Sequence, residues 1–372
     1  MGLIAAWIVL LAAVPAGAIE TIAKQVILVD YHTGAVLFEK QADELMPPSS
    51  MSKMMTVYLA FERLKDGGLK LDDELPVSEK AWRKAGSKMF VEVNKRVRVE
   101  DLLRGIIVQS GNDASIVIAE GLGGDEKSFA AEMNRKARAI GLKDSVFKNS
   151  SGWPEEGHMV TARDLAILAK RTIADFPDYY HYYAEKNFKY GKIRQGNRNP
   201  LLYRNMGADG LKTGHTKAGG YGLTASAVRD DRRLILVVNG LESARQRSTE
   251  SQRLIEWGFR EFDNFSLFKA GETVFEADVW LGKQGVVPLV LEKDLVMTLP
   301  RLARRKAVVK VVYTGPLPAP ITKAQQIAKL VITAPGIKTR EIPLLAGADV
   351  ELLGFFGRIG TAISYLMWGG LR

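Results

Sequence analysis

A serine placed three residues ahead of a lysine puts a hydroxyl and an amine on one face of a helix, one turn apart. The hydroxyl is inert by itself, but a desolvated lysine can take its proton and make it a nucleophile. The chain has this spacing at Ser50-Met51-Ser52-Lys53, at Ser145-Val146-Phe147-Lys148 and at Ser266-Leu267-Phe268-Lys269. Taken singly, each match reads most simply as a capping serine with a solvated lysine. Ser50 has the most telling surroundings. Pro47-Pro48 precede it and an amphipathic segment, Met54–Lys65, follows. This places Ser50 at a helix N-terminus, where free N–H groups and the helix dipole favour developing negative charge.

Two more short segments could complete such a site. Ser110-Gly111-Asn112 offers a hydroxyl and an amide on one turn, able to reach both the lysine and a substrate. By itself it is an ordinary helix cap ahead of Ala114. Lys212-Thr213-Gly214 stands at the start of a β-hairpin and offers a cation, a hydroxyl and a glycine against which a substrate backbone can lie closely. By itself it is a polar strand beginning. In this order the three match the S-x-x-K, S-D-N and K-T-G set of class A β-lactamases and penicillin-binding proteins, with Gly111 in place of the aspartate.

On these motifs the chain resembles the low-molecular-mass penicillin-binding D-alanyl-D-alanine carboxypeptidases. The likeness extends through Pro47–Thr56, Gln109–Ala114, Lys212–Thr216, Gly86–Phe90 and Trp257-Gly258-Phe259. It implies that Ser50 attacks the penultimate D-Ala carbonyl, that Lys53 is its base and that Ser110 relays a proton to the leaving amine. Asn112 would hold the substrate amide, and Thr213 and Arg247 its terminal carboxylate. Lys212 would lower an ammonium pKa by like-charge repulsion. Gly214 and His215 would line the substrate, the backbone N–H groups of Ser50 and His215 forming the oxyanion hole. Arg198 is a further substrate-binding candidate. The resemblance implies no cofactor and no metal. Its expected partners are peptidoglycan stem peptides ending in D-Ala-D-Ala and β-lactams as covalent inhibitors. Two alternatives stand beside it: a β-lactamase of the same fold, which lacks support because no E-x-x-L-N pattern occurs, and an inactive wall-binding protein.

The elements that must position these residues are of mixed type. Val26–Asp30 and Ala35–Glu39 form a hairpin about a Gly-containing turn, and Tyr221–Val228 and Leu234–Asn239 form a second about Arg229-Asp230-Asp231-Arg232. Helical patterns fill the stretch from about Ser50 to Lys170, and another runs from Arg247 to Phe262. An α+β domain follows, with one antiparallel sheet beside a helical part, matching the β-lactamase/transpeptidase-like fold of the resembled family. Short β-rich runs after about Asn264 predict a small all-β domain. The expected division is 19–262 for the peptidase domain and 263–350 for the β domain.

Both ends predict export and attachment. Leu3–Val14 is apolar and leads to Pro15-Ala16-Gly17-Ala18, so 1–18 reads as a signal peptide. From 351 to 372 an amphipathic helix carries Leu352, Phe355, Phe356, Ile359, Ile363 and Leu366 on one face, which suits a membrane surface better than a span. The expected location is the periplasmic face of the bacterial cytoplasmic membrane. With 372 residues, 47% hydrophobic, the chain is long enough for two cores. Its net charge of +10 would suit an anionic surface, but no nucleic-acid motif accompanies it and no nucleic-acid partner is expected. The absence of cysteine excludes disulfides and thiolate chemistry.

Overall fold

The computed structural model describes residues 19–360. The segment 1–18, expected from sequence to be a signal peptide, and the residues from 361 onward in the expected amphipathic helix lie outside the described residues. The chain divides into two compact units, one formed by Ile19–Arg260 and the other containing the residues from Glu261 on.

The first unit is built on β1 (Gln25–Asp30), β2 (Val36–Lys40), α1 (Lys53–Lys65), β3 (Glu74–Pro76), α2 (Glu79–Arg83), β4 (Arg96–Arg98), α3 (Val99–Ile107), α4 (Asn112–Gly123) and α5 (Glu126–Ala139). It continues through α6 (Ala162–Asp175), α7 (Pro177–Tyr180), β5 (Asn187–Tyr190), β6 (Ile193–Gly196), β7 (Ala208–Thr216), β8 (Gly220–Arg229), β9 (Arg232–Leu241) and α8 (Ala244–Glu261). Five strands make one antiparallel sheet in the order β2-β1-β9-β8-β7. Alternation along its strands divides the buried side chains between the two faces. Ile27, Ile235 and Val237 join the core shared with α1, α3, α4 and α6. Val26, Leu28, Leu234, Leu236 and Val238 pack on the opposite side with Leu254 and Ile255 of α8. Asp230 and Asp231 supply the left-handed backbone (φ +47° and +60°) that the tight β8–β9 turn needs.

Sequence placed Lys212-Thr213-Gly214 at the opening of the second hairpin. The structure corrects this: those residues lie inside β7, a strand of its own at the sheet edge, paired to β8 with Lys212 opposite Thr224 and Gly214 opposite Gly222. Apolar alternation is weak in β7 because one strand must serve both sheet and cleft, so its polar residues masked it.

The second unit is the expected β-rich one. It comprises β10 (Phe262–Phe268), β11 (Thr273–Trp280), β12 (Val286–Val290), β13 (Leu295–Pro300), β14 (Val308–Val312), β15 (Leu317–Pro318), β16 (Gln326–Thr333) and β17 (Arg340–Ala346). β10 pairs with β13, and the other six form one sheet around Leu289, Leu330, Ile332 and Leu344. The chain is helical over 355–360, with Phe355 and Phe356 exposed. Among the described residues no helix is long and apolar enough to cross a membrane.

Candidate active site

The nucleophile candidate stands on a single 3-10 turn, Ser49–Ser52, which runs directly into α1. Ser49 is held at φ +49°, a backbone region that typically costs a side-chain-bearing residue 1–3 kcal/mol. Its hydroxyl donates to Thr216 Oγ1 of β7 at 3.0 Å. Behind this turn lies the 149–153 loop. A Cβ on Gly152 (φ +75°) would stand 1.8 Å from the Ser49 carbonyl oxygen, so only glycine fits there. Asn149 Oδ1 accepts the N–H groups of Gly152 and Trp153 at 2.9 and 3.0 Å and fixes the loop.

Lys53, the first residue of α1, is fully buried. Its Nζ lies 2.9 Å from Ser50 Oγ, 2.8 Å from Asn112 Oδ1 and 2.5 Å from the Ser151 carbonyl oxygen. Asn112 Nδ2 donates to the Ala85 carbonyl at 2.8 Å, which leaves the amide oxygen turned to the lysine. A neutral amine has two N–H groups and one lone pair. Two of the three partners, the amide oxygen and the carbonyl, can only accept. They use both N–H groups and leave the lone pair for the Ser50 hydroxyl. Burial brings the Lys53 pKa down to about 7, with Arg198 and Lys84 also lowering it and Asp113 opposing. The neutral amine is therefore accessible near pH 7.

A second serine–lysine pair faces the first. Ser110 sits between α3 and α4 at φ +67°, and Lys212 of β7 places its Nζ 3.0 Å from Ser110 Oγ and 3.1 Å from the Thr213 carbonyl. Burial, then Lys53, Arg198 and Arg247, drive the Lys212 pKa well below its usual value. Four of the positions expected from sequence, Ser50, Lys53, Ser110 and Asn112, thus meet Lys212 in one cluster.

The remaining candidates surround it. A Cβ on Gly214 would lie 3.1 Å from Met51, the Pro48 carbonyl and Ser49, so β7 runs hard against the nucleophile turn. Thr213 is buried and His215 exposed, its ring stacked on Tyr221 with centroids 3.9 Å apart. The Arg247 guanidinium of α8 lies 5.6 Å from the same Tyr221 ring, and its buried Nε has no hydrogen-bond partner among the described residues. Arg198 donates to Ser87 Oγ at 2.6 Å. The other two S-x-x-K matches fall elsewhere: Ser145 Oγ donates to Asp164 Oδ2 at 2.7 Å, and Lys269 pairs with Asp294 at 2.8 Å.

Three contributors carry no role in the sequence reading. Ser151 acts through its carbonyl and Asn149 through the turn it ties. Asp113 is fully buried, and its carboxylate accepts the N–H groups of Met89, Phe90 and Val91 at 3.0, 2.9 and 3.3 Å. It clasps the 85–91 segment that supplies the Ala85 and Ser87 carbonyls to Asn112. Its one signal was its place in the first turn of a helix directly after the Ser-Gly-Asn motif.

Comparison with known proteins points to one family. A family profile described as D-alanyl-D-alanine carboxypeptidase matches residues 12–243, and one described as the penicillin-binding protein 5 C-terminal domain matches 262–352. The chain is 39% identical over 341 residues to the D-alanyl-D-alanine carboxypeptidase DacC of Escherichia coli, covering 90% of this chain and 85% of that protein. To DacA of Haemophilus influenzae it is 37% identical over 345 residues, covering 91% and 87%. Among solved structures, penicillin-binding protein 5 of Haemophilus influenzae superposes with a TM-score of 0.81 at 36% identity, covering 90% of this chain and 99% of that one. DacD of Francisella tularensis gives 0.82 at 32% identity, covering 91% and 96%. With matching profiles and relatives of this likeness along nine-tenths of its length, the chain belongs to the D-alanyl-D-alanine carboxypeptidase family of serine peptidases.

Proposed function

We propose that the chain removes the terminal D-alanine from peptidoglycan pentapeptide stems through an acyl-enzyme on Ser50, and that β-lactams acylate the same hydroxyl. The observation that carries this is the coordination of Lys53, whose two obligate acceptors leave its lone pair for Ser50.

In this mechanism the Ser50 proton passes to Lys53 as Oγ bonds to the penultimate D-Ala carbonyl carbon. The backbone N–H groups of Ser50 and His215 receive the oxyanion, a contribution typically of about 3–4 kcal/mol. Asn112 holds the substrate amide. Thr213 and Arg247 take the terminal carboxylate; the unpartnered, buried Arg247 Nε supports this, since a buried donor gains most from an anionic acceptor. As the C–N bond breaks, the proton held by Lys53 passes through Ser110 to the leaving amine, with Lys212 Nζ 3.0 Å from Ser110 Oγ, and Lys53 is neutral again. Water then gives its proton to Lys53, adds to the ester carbonyl, and Ser50 recovers a proton as it departs. Arg198 and His215 line the substrate path. Incubation with a pentapeptide muropeptide tests the proposal: the mass should fall by one alanine residue, and unchanged mass refutes it.

Location belongs to the same proposal. Residues 1–18 act as a signal peptide and the protein works at the periplasmic face of the membrane. The amphipathic segment 351–372 attaches it peripherally, supported by the exposed Phe355 and Phe356 at its described start.

A further inference from the structure

Asn149 shapes the turn that carries the Ser151 carbonyl, but its own hydrogen bonds do not fix that turn to the helices. Among the described residues the Asn149 side-chain amide bonds within 149–155, accepting from Ser151, Gly152 and Trp153 and donating to the Trp153 carbonyl and to Glu155. A turn closed on itself moves as a body unless something outside holds it. Two hydrogen-bonded attachments to helices meet at Ser150, which is fully buried. Its carbonyl accepts from Thr56 Oγ1 of α1 at 2.7 Å, one turn beyond Lys53. Its N–H and its Oγ both donate to Glu126 Oε1, at 3.2 and 2.8 Å.

Glu126 is the first residue of α5, directly after the capping Asp125, and is buried. Its Oε2 pairs with Lys80 Nζ of α2 at 2.8 Å. Burial opposes its ionisation, yet the hydrogen bonds from Lys80 and Ser150 outweigh that and hold the carboxyl below its usual value. No step of the reaction uses this carboxylate.

We propose that Glu126 is a positioning residue for the catalytic base: by anchoring Ser150 it aims the Ser151 carbonyl at Lys53. This rests on the acyl-enzyme reading above, in which Lys53 must turn its lone pair to Ser50. That orientation needs both N–H groups of the neutral amine occupied, one by Asn112 Oδ1 and one by the Ser151 oxygen. Ser150 is gripped at its N–H, its hydroxyl and its carbonyl, and Asn149 closes the turn around it. Little freedom then remains to the carbonyl of the next residue.

Loosening that carbonyl acts on Lys53 in two ways. The lone pair loses its fixed direction, so acylation at high pH slows. The ammonium gains more from a carbonyl acceptor than the neutral amine does, so its pKa falls when the carbonyl is loosened. Arg198, Lys84, Asp113, Lys212 and His158 also face this amine, and Lys80 and Lys84 face Glu126. Removing the Glu126 charge would by itself lower the same pKa, so the test needs a variant that changes no charge.

Stopped-flow acylation of the full chain by a chromogenic cephalosporin, followed against pH, provides it. Ser150→Ala changes no charge; it should slow acylation at high pH about tenfold and move the midpoint of the rising limb down by about half a pH unit. Glu126→Ala should behave alike. Glu126→Gln keeps an oxygen for Ser150 and should recover most of the rate, whereas a pure charge effect leaves it as slow as Glu126→Ala. Thermal unfolding checks that each variant is folded; if Glu126→Ala is not, Ser150→Ala and Glu126→Gln decide. An unaltered rate and midpoint in Ser150→Ala overturns the proposal. Equal slowing by Gln and Ala at 126 overturns it too, and so does a slower rate with an unmoved midpoint, which marks general loosening. If the unmodified protein forms no acyl-enzyme, the acyl-enzyme reading itself fails and takes the proposal with it.

Discussion

Ser110 Oγ stands 3.0 Å from Lys212 Nζ, so the second hydroxyl of the cleft has an amine of its own. Ser50 has Lys53 at 2.9 Å. Two buried lysines in one pocket cannot both stay protonated cheaply, because each is desolvated and each repels the other. The arrangement divides the labour between an amine that takes a proton and one that backs a relay.

Ser50→Ala should abolish covalent penicillin labelling and leave the fold unchanged, since only at Ser50 do two obligate acceptors turn the lone pair of a lysine onto the hydroxyl. Mass spectrometry of the labelled protein checks it. An adduct on Ser110 or Ser145 would show that the nucleophile is misassigned.

The acylation rate should rise with pH and level off above about 7. Below that value Lys53 holds a proton and has no lone pair for Ser50; above it the neutral base is the main form. Stopped-flow acylation by a chromogenic cephalosporin over roughly pH 5 to 9 reads this limb. A rate that falls across the same range contradicts a neutral Lys53 as base.

Arg247→Ala should lower kcat/KM for a peptide with a free terminal carboxylate by roughly tenfold to a hundredfold, the usual worth of a hydrogen bond to a charged group. The same peptide ending in an amide should lose much less. Equal losses on both would assign Arg247 to the packing of α8 instead.

Asp113→Asn should destabilise the first unit by about 2–3 kcal/mol, because one carboxylate oxygen becomes an NH2 group directed at backbone N–H donors. Denaturant unfolding measures the loss. Acylation should slow as well, since the 85–91 segment that holds Asn112 loosens; a stable variant with normal acylation refutes the clasp.

Deleting residues 352–372 should release a protein that no longer floats with lipid vesicles but still hydrolyses small peptides at near full rate. The buried apolar side chains of an interfacial helix each contribute up to ~1.5–3 kcal/mol, reduced by ordering costs. If truncated and full-length proteins float alike, the tail is not an anchor.

How much of this was legible in the sequence depended on whether side-chain identity carried the information. The two hairpins showed because β1 and β9 alternate buried residues between two apolar cores. Ser50 and Lys53 showed because a hydroxyl and an amine at helical spacing are uncommon chemistry beside a proline pair. β7 was harder, since Lys212, Thr213 and Gly214 serve cleft and sheet together and erase the strand pattern. The hairpin of β5 and β6 was missed because each strand is four residues long, and Phe188 and Tyr190, its core-facing side, are too short a run to read as alternation. Ser151 was out of reach altogether. Its contribution is a carbonyl, which every residue has, and Asn149 and Gly152 shape the turn that presents it to Lys53.

That carbonyl has a consequence for how long an antibiotic on Ser50 would stay bound. Among the described residues, no carboxylate hydrogen-bonds to Lys53 or Ser50; the third ligand of the amine is the neutral Ser151 oxygen. A penicilloyl group on Ser50 would keep its departed ring nitrogen tethered within the cleft, and among the described residues the base in contact with Ser50, and so placed to activate water, would be the amine it crowds. Residence time would then be set by one lysine, and acid would lengthen it. As Lys53 gains its proton below about pH 7, the drug adduct should outlast its lifetime in alkaline medium.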